Sequence, residues 1–260
     1  MNNNNNKNIE KIKKVFDENF LRKLSDAEAE VFLKDVLSYT REELSKTLDF
    51  NEQKFNQYVF NSELEIFFSP RRINDEIVRI IESIGIETLE KSYKYKRASE
   101  MVSAMCLALA LKKLSGKEWA IKSQDSPDII LVKRNDRGLY DKPFDALAFE
   151  IMEIPEQEKQ NFGLDIERGI AEFIKDKKFM KRYLDKEKIH LFVYFNFNQM
   201  GINLQKVSEI LQSFLNNPYH QIWIRTNTDP TKKLLNVTLI YPKFRQVDID
   251  VEKEYPNLMF

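Results

Sequence analysis

Two carboxylates occupy positions where short strands can aim them at one another. In Ser126-Pro127-Asp128-Ile129-Ile130-Leu131, Asp128 stands at the mouth of a strand, behind a proline that fixes how the chain arrives. In Phe149-Glu150-Ile151-Met152-Glu153-Ile154, Glu150 lies inside the next strand. Alternation puts Glu150 and Met152 on one face and Ile151 and Glu153 on the other. If the two strands are neighbours, Asp128 and Glu150 converge on one divalent cation. Hard cations such as Mg²⁺ take one or two carboxylates and fill the rest of an octahedron with water and phosphate oxygens. Such an ion lowers the pKa of a bound water and neutralises charge developing on a phosphodiester. Each acid also has an ordinary use, Asp128 as a turn residue bonded to local backbone and Glu150 as a salt-bridge partner or a solvent-facing strand position.

The elements around these acids follow from periodicity. From Asn8 to about Leu114 apolar residues recur by threes and fours, as in Ile9, Ile12, Val15 and Phe16, then Leu21 and Leu24. Ser25 with Glu28, and again Thr40 with Glu43, form capping-box patterns that open helices. Arg71 to Leu89 carries Ile77, Ile80, Ile81 and Ile84 on one face, with Gly85 as the break, and a longer helix runs from about Tyr93 to Leu114 and stops at Ser115-Gly116. Beyond Gly116 the texture changes to β-branched and aromatic runs. Strands are predicted at Trp119 to Ser123, Asp128 to Lys133, Ala146 to Ile154, His190 to Phe197, Gln221 to Thr226 and Leu234 to Tyr241, the last two antiparallel. Helices are predicted at Leu164 to Leu184 and Leu204 to Leu215, and a turn at Asn135-Asp136-Arg137-Gly138. The expected class is α/β, a mixed central sheet flanked by helices, with a helical N-terminal region over residues 1–90 and the sheet domain over 91–260.

Helix, strand, Pro-Asp strand, Glu-containing strand, helix, strand is the order that resembles the core of the PD-(D/E)XK nucleases, and the likeness covers roughly Tyr93 to Asn198. It implies a restriction-endonuclease-like fold and a metal site formed by Asp128 and Glu150, joined by Glu100 from the preceding helix. It also implies Mg²⁺ or Mn²⁺ as cofactor and nucleic acid, DNA first, as substrate. The family places a lysine two residues after the acidic strand residue; here that position is Met152, which cannot orient a water or stabilise negative charge. A relocated lysine is then sought at Lys122 on the preceding strand, at Lys133, or on the following helix, which carries Arg168 and Lys175. Loss of catalysis is the other outcome, leaving a module that binds nucleic acid, or a protein through the N-terminal helices. An unrelated α/β interaction protein with matching acids is a third.

Composition narrows the field. Forty-one basic residues balance 41 acidic ones, so nucleic-acid affinity has to come from a local patch such as Lys94, Lys96 and Arg97, or Lys175, Lys177, Lys178, Lys181 and Arg182. The second cluster follows the candidate acids and is placed to contact phosphates, unless it is simply a solvated helix face balanced by Asp176, Asp185 and Glu187. A single cysteine, Cys106, excludes an intramolecular disulfide and a CxxC metal site and points to a reducing compartment. Met101 to Leu111 is about half the roughly 18 residues of a membrane span and reads as a buried helix. The start, Met1, Asn2 to Asn6 and Lys7, reads as a frayed tail without a secretory h-region, so a cytoplasmic protein is expected. His190 and His220 lie on different elements without zinc spacing, and the scattered glycines form no phosphate-cradling loop.

Overall fold

The computed structural model describes residues 2–45, 52–53, 66–125, 127–133, 146–179, 189–195, 201–214, 216–229 and 234–254. The predicted turn Asn135–Gly138, Lys181, Arg182 and the predicted strand end at Phe197 lie outside the described residues.

Helix α1 spans Asn2–Phe20, so the asparagine run is helical, not a frayed tail. It ends four residues before Leu24, because Leu21 takes a left-handed turn at φ 51 and points a partly exposed side chain outward. Ser25 and Glu28 then form the expected reciprocal cap of α2 (Asp26–Ser45): the Ser25 N–H donates to Glu28 Oε2 at 2.9 Å and the Glu28 N–H donates to Ser25 Oγ at 3.3 Å. No second cap interrupts at Thr40, for α2 runs through it to Ser45. Ser69 caps α3 (Pro70–Ile84), which stops at Gly85 (φ 80) before α4 (Ile86–Lys91). A 3-10 turn at Tyr93–Tyr95 leads into α5 (Lys96–Ser115), closed by Gly116 in the left-handed conformation, φ 68.

Among the described residues seven strands follow in one sheet, whose spatial order is the sequence order. They are β1 (Trp119–Ser123), β2 (Ile129–Lys133), β3 (Ala146–Ile154), β4 (Ile189–Phe195), β5 (Ile222–Asp229), β6 (Leu234–Tyr241) and β7 (Arg245–Asp250). Helix α6 (Ile166–Ile174) connects β3 to β4, and α7 (Leu204–Ser213) connects β4 to β5. Pairs β3–β4 and β4–β5 are parallel; the other pairs are antiparallel, β5–β6 as expected. Strand β7 was not expected, because Arg245-Gln246-Val247-Asp248-Ile249-Asp250 offers only two apolar residues, both buried under the sheet edge while the rest face out.

The sheet is packed on both faces. One core joins Phe149, Ile151, Phe192 and Tyr194 of the sheet to α5 and, through it, to Ile12, Phe16 and Phe20 of α1, Phe32 of α2 and Ile73 and Ile77 of α3. The other joins Met152, Ile154, Leu191 and Val193 to Ile170 and Ile174 of α6 and Leu211 of α7. Because α5 lies between the N-terminal helices and the sheet, it is apolar on all sides from Met101 to Leu111 except at Ser103, and buried throughout. Residues on both sides of position 90 share the first core, so no break in packing marks the expected boundary. Among the described residues no helix is long and apolar enough to cross a membrane.

An ionic cluster ties α3 to the α1–α2 corner. Glu76, 1% exposed, accepts from Arg22 at 2.8 and 2.9 Å and pairs with Arg72 at 3.3 Å and Arg79 at 3.2 Å. Arg72 also stacks over the Phe16 and Phe32 rings. Removing the carboxylate leaves cations with no buried counter-charge, although their partial exposure lets them rehydrate in part. Glu76→Ala is therefore expected to lower the unfolding free energy by about 3 kcal/mol in urea titration; a loss below about 1 kcal/mol would mean that the cluster is a solvated surface network.

Candidate functional site

The register of β2 on β3 decides where Asp128 goes. Ile129 pairs with Phe149, so Asp128 falls opposite Glu150 and Pro127 opposite Ile151. Proline cannot donate to a ladder, and pairing ends there. Asp128 itself fills the gap: its Oδ2 accepts the Ile151 N–H at 2.7 Å. The bond is to backbone, yet 23 residues away, so the expected local turn role is not the one it plays. Asp128 thus sits in the plane of the sheet, where both helical layers can reach it.

Each layer sends one acid. From α5 comes Glu100, the acid that the resemblance brings from the helix before β1; it is 5% exposed. Its companions are Lys96, with Nζ 3.6 Å from Oε1, and Arg97, 3.7 Å from Oε2. Burial raises the Glu100 carboxyl above its ordinary 4.5 and the nearby Asp128 charge raises it further, against the pull of Lys96 and Arg97. From the other face comes Glu150, also 5% exposed. Burial pushes Asp128 above its ordinary 3.8 and Glu150 adds to the push; the Ile151 N–H, Lys178 and Lys96 oppose it. Glu150 thus raises Asp128 and Asp128 raises Glu100, which places the three carboxyls in one neighbourhood.

Lys178 compensates them, a residue that the sequence reading placed only in a phosphate-contact cluster. It is 7% exposed, and its Nζ donates to Glu150 Oε2 at 3.1 Å and to the Ile151 carbonyl at 3.2 Å. Helix α6 brings it there. Asp165 caps the helix by accepting the Arg168 N–H, and Gly169 lets it approach the Pro155–Phe162 segment, where a Cβ would stand 2.5 Å from Phe162 Cβ. The helix then widens into a π turn at Lys175–Phe179. Such turns are rare and often lie at functional sites. The signal was in the spacing: Ile170, Ile174 and Lys178 recur by fours, which places a lysine on the buried stripe.

The other basic candidates go elsewhere. Lys122 lies 5.9 Å from the Phe67 ring centroid and lines a cavity beside α1. Lys133 is at the far end of β2, about 16 Å along the strand from Asp128. Arg168 is exposed and pairs with Asp165 and Glu172 on its own helix, and Lys175 lies over the Phe214 ring at 4.9 Å. Arg97 has a positioning role: it donates to Gln124 O at 2.7 Å and Ser123 Oγ at 3.2 Å and bonds Asp125, clamping the β1–β2 loop to α5. Glu153 faces away from Glu150 and accepts from Tyr194 at 3.1 Å. His190 stacks on Phe149 and meets His220 edge-on at 5.4 Å; burial, helped by His220, holds it down at about 4.

Among the described residues no group of three His, Cys, Asp or Glu side chains is arranged to hold a metal ion. What is present is a smaller oxygen set, Asp128, Glu150 and the Ile151 carbonyl, within the one or two carboxylates that Mg²⁺ uses. Glu100 joins the site through its charge, not as part of a three-acid ligand group. Compared with family models, with curated proteins and with solved structures, the chain matches none.

The raised acids have a consequence for stability. A carboxyl whose folded pKa exceeds its unfolded value keeps its proton in the native state after the unfolded chain has lost it, so stability falls as pH rises through that window. For Asp128 the window opens at 3.8 and extends upward. Asp128→Asn keeps an acceptor for the Ile151 N–H without the charge. It is expected to melt above the parent protein at about pH 7, with the gap closing toward about pH 4. A melting difference of zero or opposite sign at neutral pH would contradict the like-charge crowding.

Proposed function

We propose that this chain is a relative of the PD-(D/E)XK nucleases that hydrolyses phosphodiester bonds in nucleic acid, DNA in the first instance, with Lys178 as its relocated lysine. The observation that carries the reading is the buried Lys178 ammonium 3.1 Å from Glu150 Oε2, across from the Asp128 carboxylate at the end of β2. Element order adds support: α5, β1, the Pro127-Asp128 strand, the Glu150 strand, α6 and β4 follow one another as the resemblance requires.

In this reading Asp128 and Glu150 would hold Mg²⁺ or Mn²⁺, which, when bound, lowers the pKa of a water and polarises the phosphoryl group. The Ile151 N–H holds one Asp128 oxygen in place. Lys178 keeps a positive charge where negative charge develops on the phosphate, and three rotatable donors let it turn from Glu150 toward a non-bridging oxygen. Glu100, whose carboxyl burial and the Asp128 charge raise, is a group able to exchange a proton with an incoming water.

A second reading has its own observation. Lys178 lies against Glu150 Oε2 and the Ile151 carbonyl together, so its ammonium stands in for a divalent cation between two of the oxygens such an ion would use. Kept permanently, that arrangement gives an inactive nuclease-fold module that binds nucleic acid or a protein partner.

Calorimetric titration with Mn²⁺ and a plasmid-nicking assay on the same samples separate the two. For a nuclease, Mn²⁺ binding is lost in Asp128→Ala and Glu150→Ala, while Lys178→Ala still binds Mn²⁺ but nicks about 100-fold more slowly or worse. Absence of Mn²⁺ binding in the parent protein, with salt-sensitive DNA binding retained, would establish the inactive module instead. Nicking that survives both carboxylate variants would refute the assignment of this site.

A further inference from the structure

The corner between α4 and α5 presents one aromatic ring to solvent beside the acids. Tyr93 opens the 3-10 turn Tyr93–Tyr95 and is 86% exposed, whereas Tyr95 is half-buried against the first core and anchors the turn there. The backbone that carries Tyr93 is fixed by hydrogen bonds. The Ser92 N–H donates to the Thr88 carbonyl at 3.1 Å, the Tyr95 N–H donates to the Ser92 carbonyl at 2.9 Å, and the Tyr93 carbonyl accepts the Lys96 N–H. A tyrosine has only two side-chain torsions to order, so on such a turn it offers a flat contact face at small entropic cost.

A singly exposed aromatic residue is ordinary in itself. The placement of this one is what gives it a use, and Lys96 records that placement. The Lys96 Nζ stands 5.9 Å from the Tyr93 ring centroid and 3.6 Å from Glu100 Oε1, so the ring centroid lies within the sum of the two, 9.5 Å, of that carboxylate oxygen. Stacked nucleotides rise about 3.4 Å each, which makes the span about three steps. A ring that is 86% exposed keeps at least one face open to solvent, even with Lys96 over it. Lys94 is exposed on the same turn, its Nζ 5.7 Å from the Tyr95 ring centroid, so the tyrosine stands between two lysines that can follow a phosphate backbone.

An aromatic side chain stacks on a base only where the face of that base is free. Inside a duplex each base is covered above and below, so the nucleic acid that suits an exposed ring is an unpaired strand, whose bases lie on aromatic side chains. We infer that Tyr93 is a stacking platform for an unpaired base, which it holds about three nucleotides or fewer from the phosphodiester at Asp128 and Glu150. The substrate is then engaged as a single strand or as a locally opened duplex, not as closed double helix. The inference rests on the nucleic-acid reading above and deepens it by naming the strand state of the substrate.

The test is fluorescence anisotropy of a labelled mixed-sequence DNA strand of about 12 nucleotides, and of its duplex with the complement, titrated with the full chain in EDTA so that cleavage does not intervene. The single strand is expected to bind more tightly than the duplex. Tyr93→Leu, apolar but unable to stack, is expected to weaken single-strand binding about tenfold and to leave duplex binding unchanged, whereas Tyr93→Trp binds at least as tightly as the parent protein. Both variants should melt with the parent protein, because the ring is exposed. Duplex binding as tight as single-strand binding overturns the inference. Single-strand affinity that ignores Tyr93→Leu overturns it too, and leaves the nucleic-acid reading standing with a different contact surface. DNA bound in neither form overturns both; self-association in sedimentation that Tyr93→Leu then abolishes would assign the ring to a protein interface. A Tyr93-dependent single-strand affinity in a protein that binds no Mn²⁺ would sink the hydrolytic reading and leave the platform in place.

Discussion

The site depends on one hydrogen bond, from the Ile151 N–H to Asp128 Oδ2. A proline at the point where β2 meets β3 ends the ladder, and an aspartate side chain takes the place of the missing strand. This satisfies a strand donor that burial would otherwise leave unpaired. It also fixes a carboxylate in the sheet plane, within reach of Glu100 on one side and Glu150 on the other. Burial and like charge together raise the Asp128 and Glu100 carboxyls above their ordinary values. The fold compensates with cations from different elements: Lys178 at the end of α6, and Lys96 and Arg97 at the start of α5.

The two helical layers therefore do more than cover the sheet. Helix α5 carries Glu100 into a buried position because α1, α3 and α4 pack over its outer side; without them its apolar surface from Met101 to Leu111 would face water. The Glu76 cluster locks α3 to the α1–α2 corner and so belongs to the same chain of support. On the opposite face, the close approach at Gly169 and the π turn after Ile174 bring Lys178 against Glu150. A lysine buried to that extent is tolerated where a carboxylate and a carbonyl receive its protons, and Glu150 and Ile151 supply both.

Much of this was legible from residue order. Alternation in Phe149 to Ile154 correctly separated Glu150 from Glu153, the Ser25/Glu28 cap and the Gly116 stop fixed helix ends, and the all-apolar stretch Met101 to Leu111 announced a buried helix. The failures have physical causes. The burial of Glu100 was not legible because helix periodicity does not reveal a second helical layer above it. Lys178 was read as a surface cation because five basic residues crowd residues 175–182, although its four-residue spacing from Ile174 marked it as inward-facing. Strand β7 escaped because an edge strand needs only two buried side chains. Lys122 was sought as a relocated lysine because it lies on the strand before Asp128, whereas the β1 edge turns it toward α1 and Phe67.

The crowding of acids around the end of β2 is open to direct observation by ¹³C NMR titration of side-chain carboxyls, Asp128 in the parent protein and in Glu150→Gln, and Glu100 in the parent protein and in Asp128→Asn. The expected result is that Asp128 titrates above the ordinary 3.8 and moves down in Glu150→Gln, and that Glu100 titrates above the ordinary 4.5 and moves down in Asp128→Asn, as one neighbouring charge is removed. Carboxyls that titrate at or below those ordinary values and ignore both substitutions would contradict the shared site from which the functional account begins.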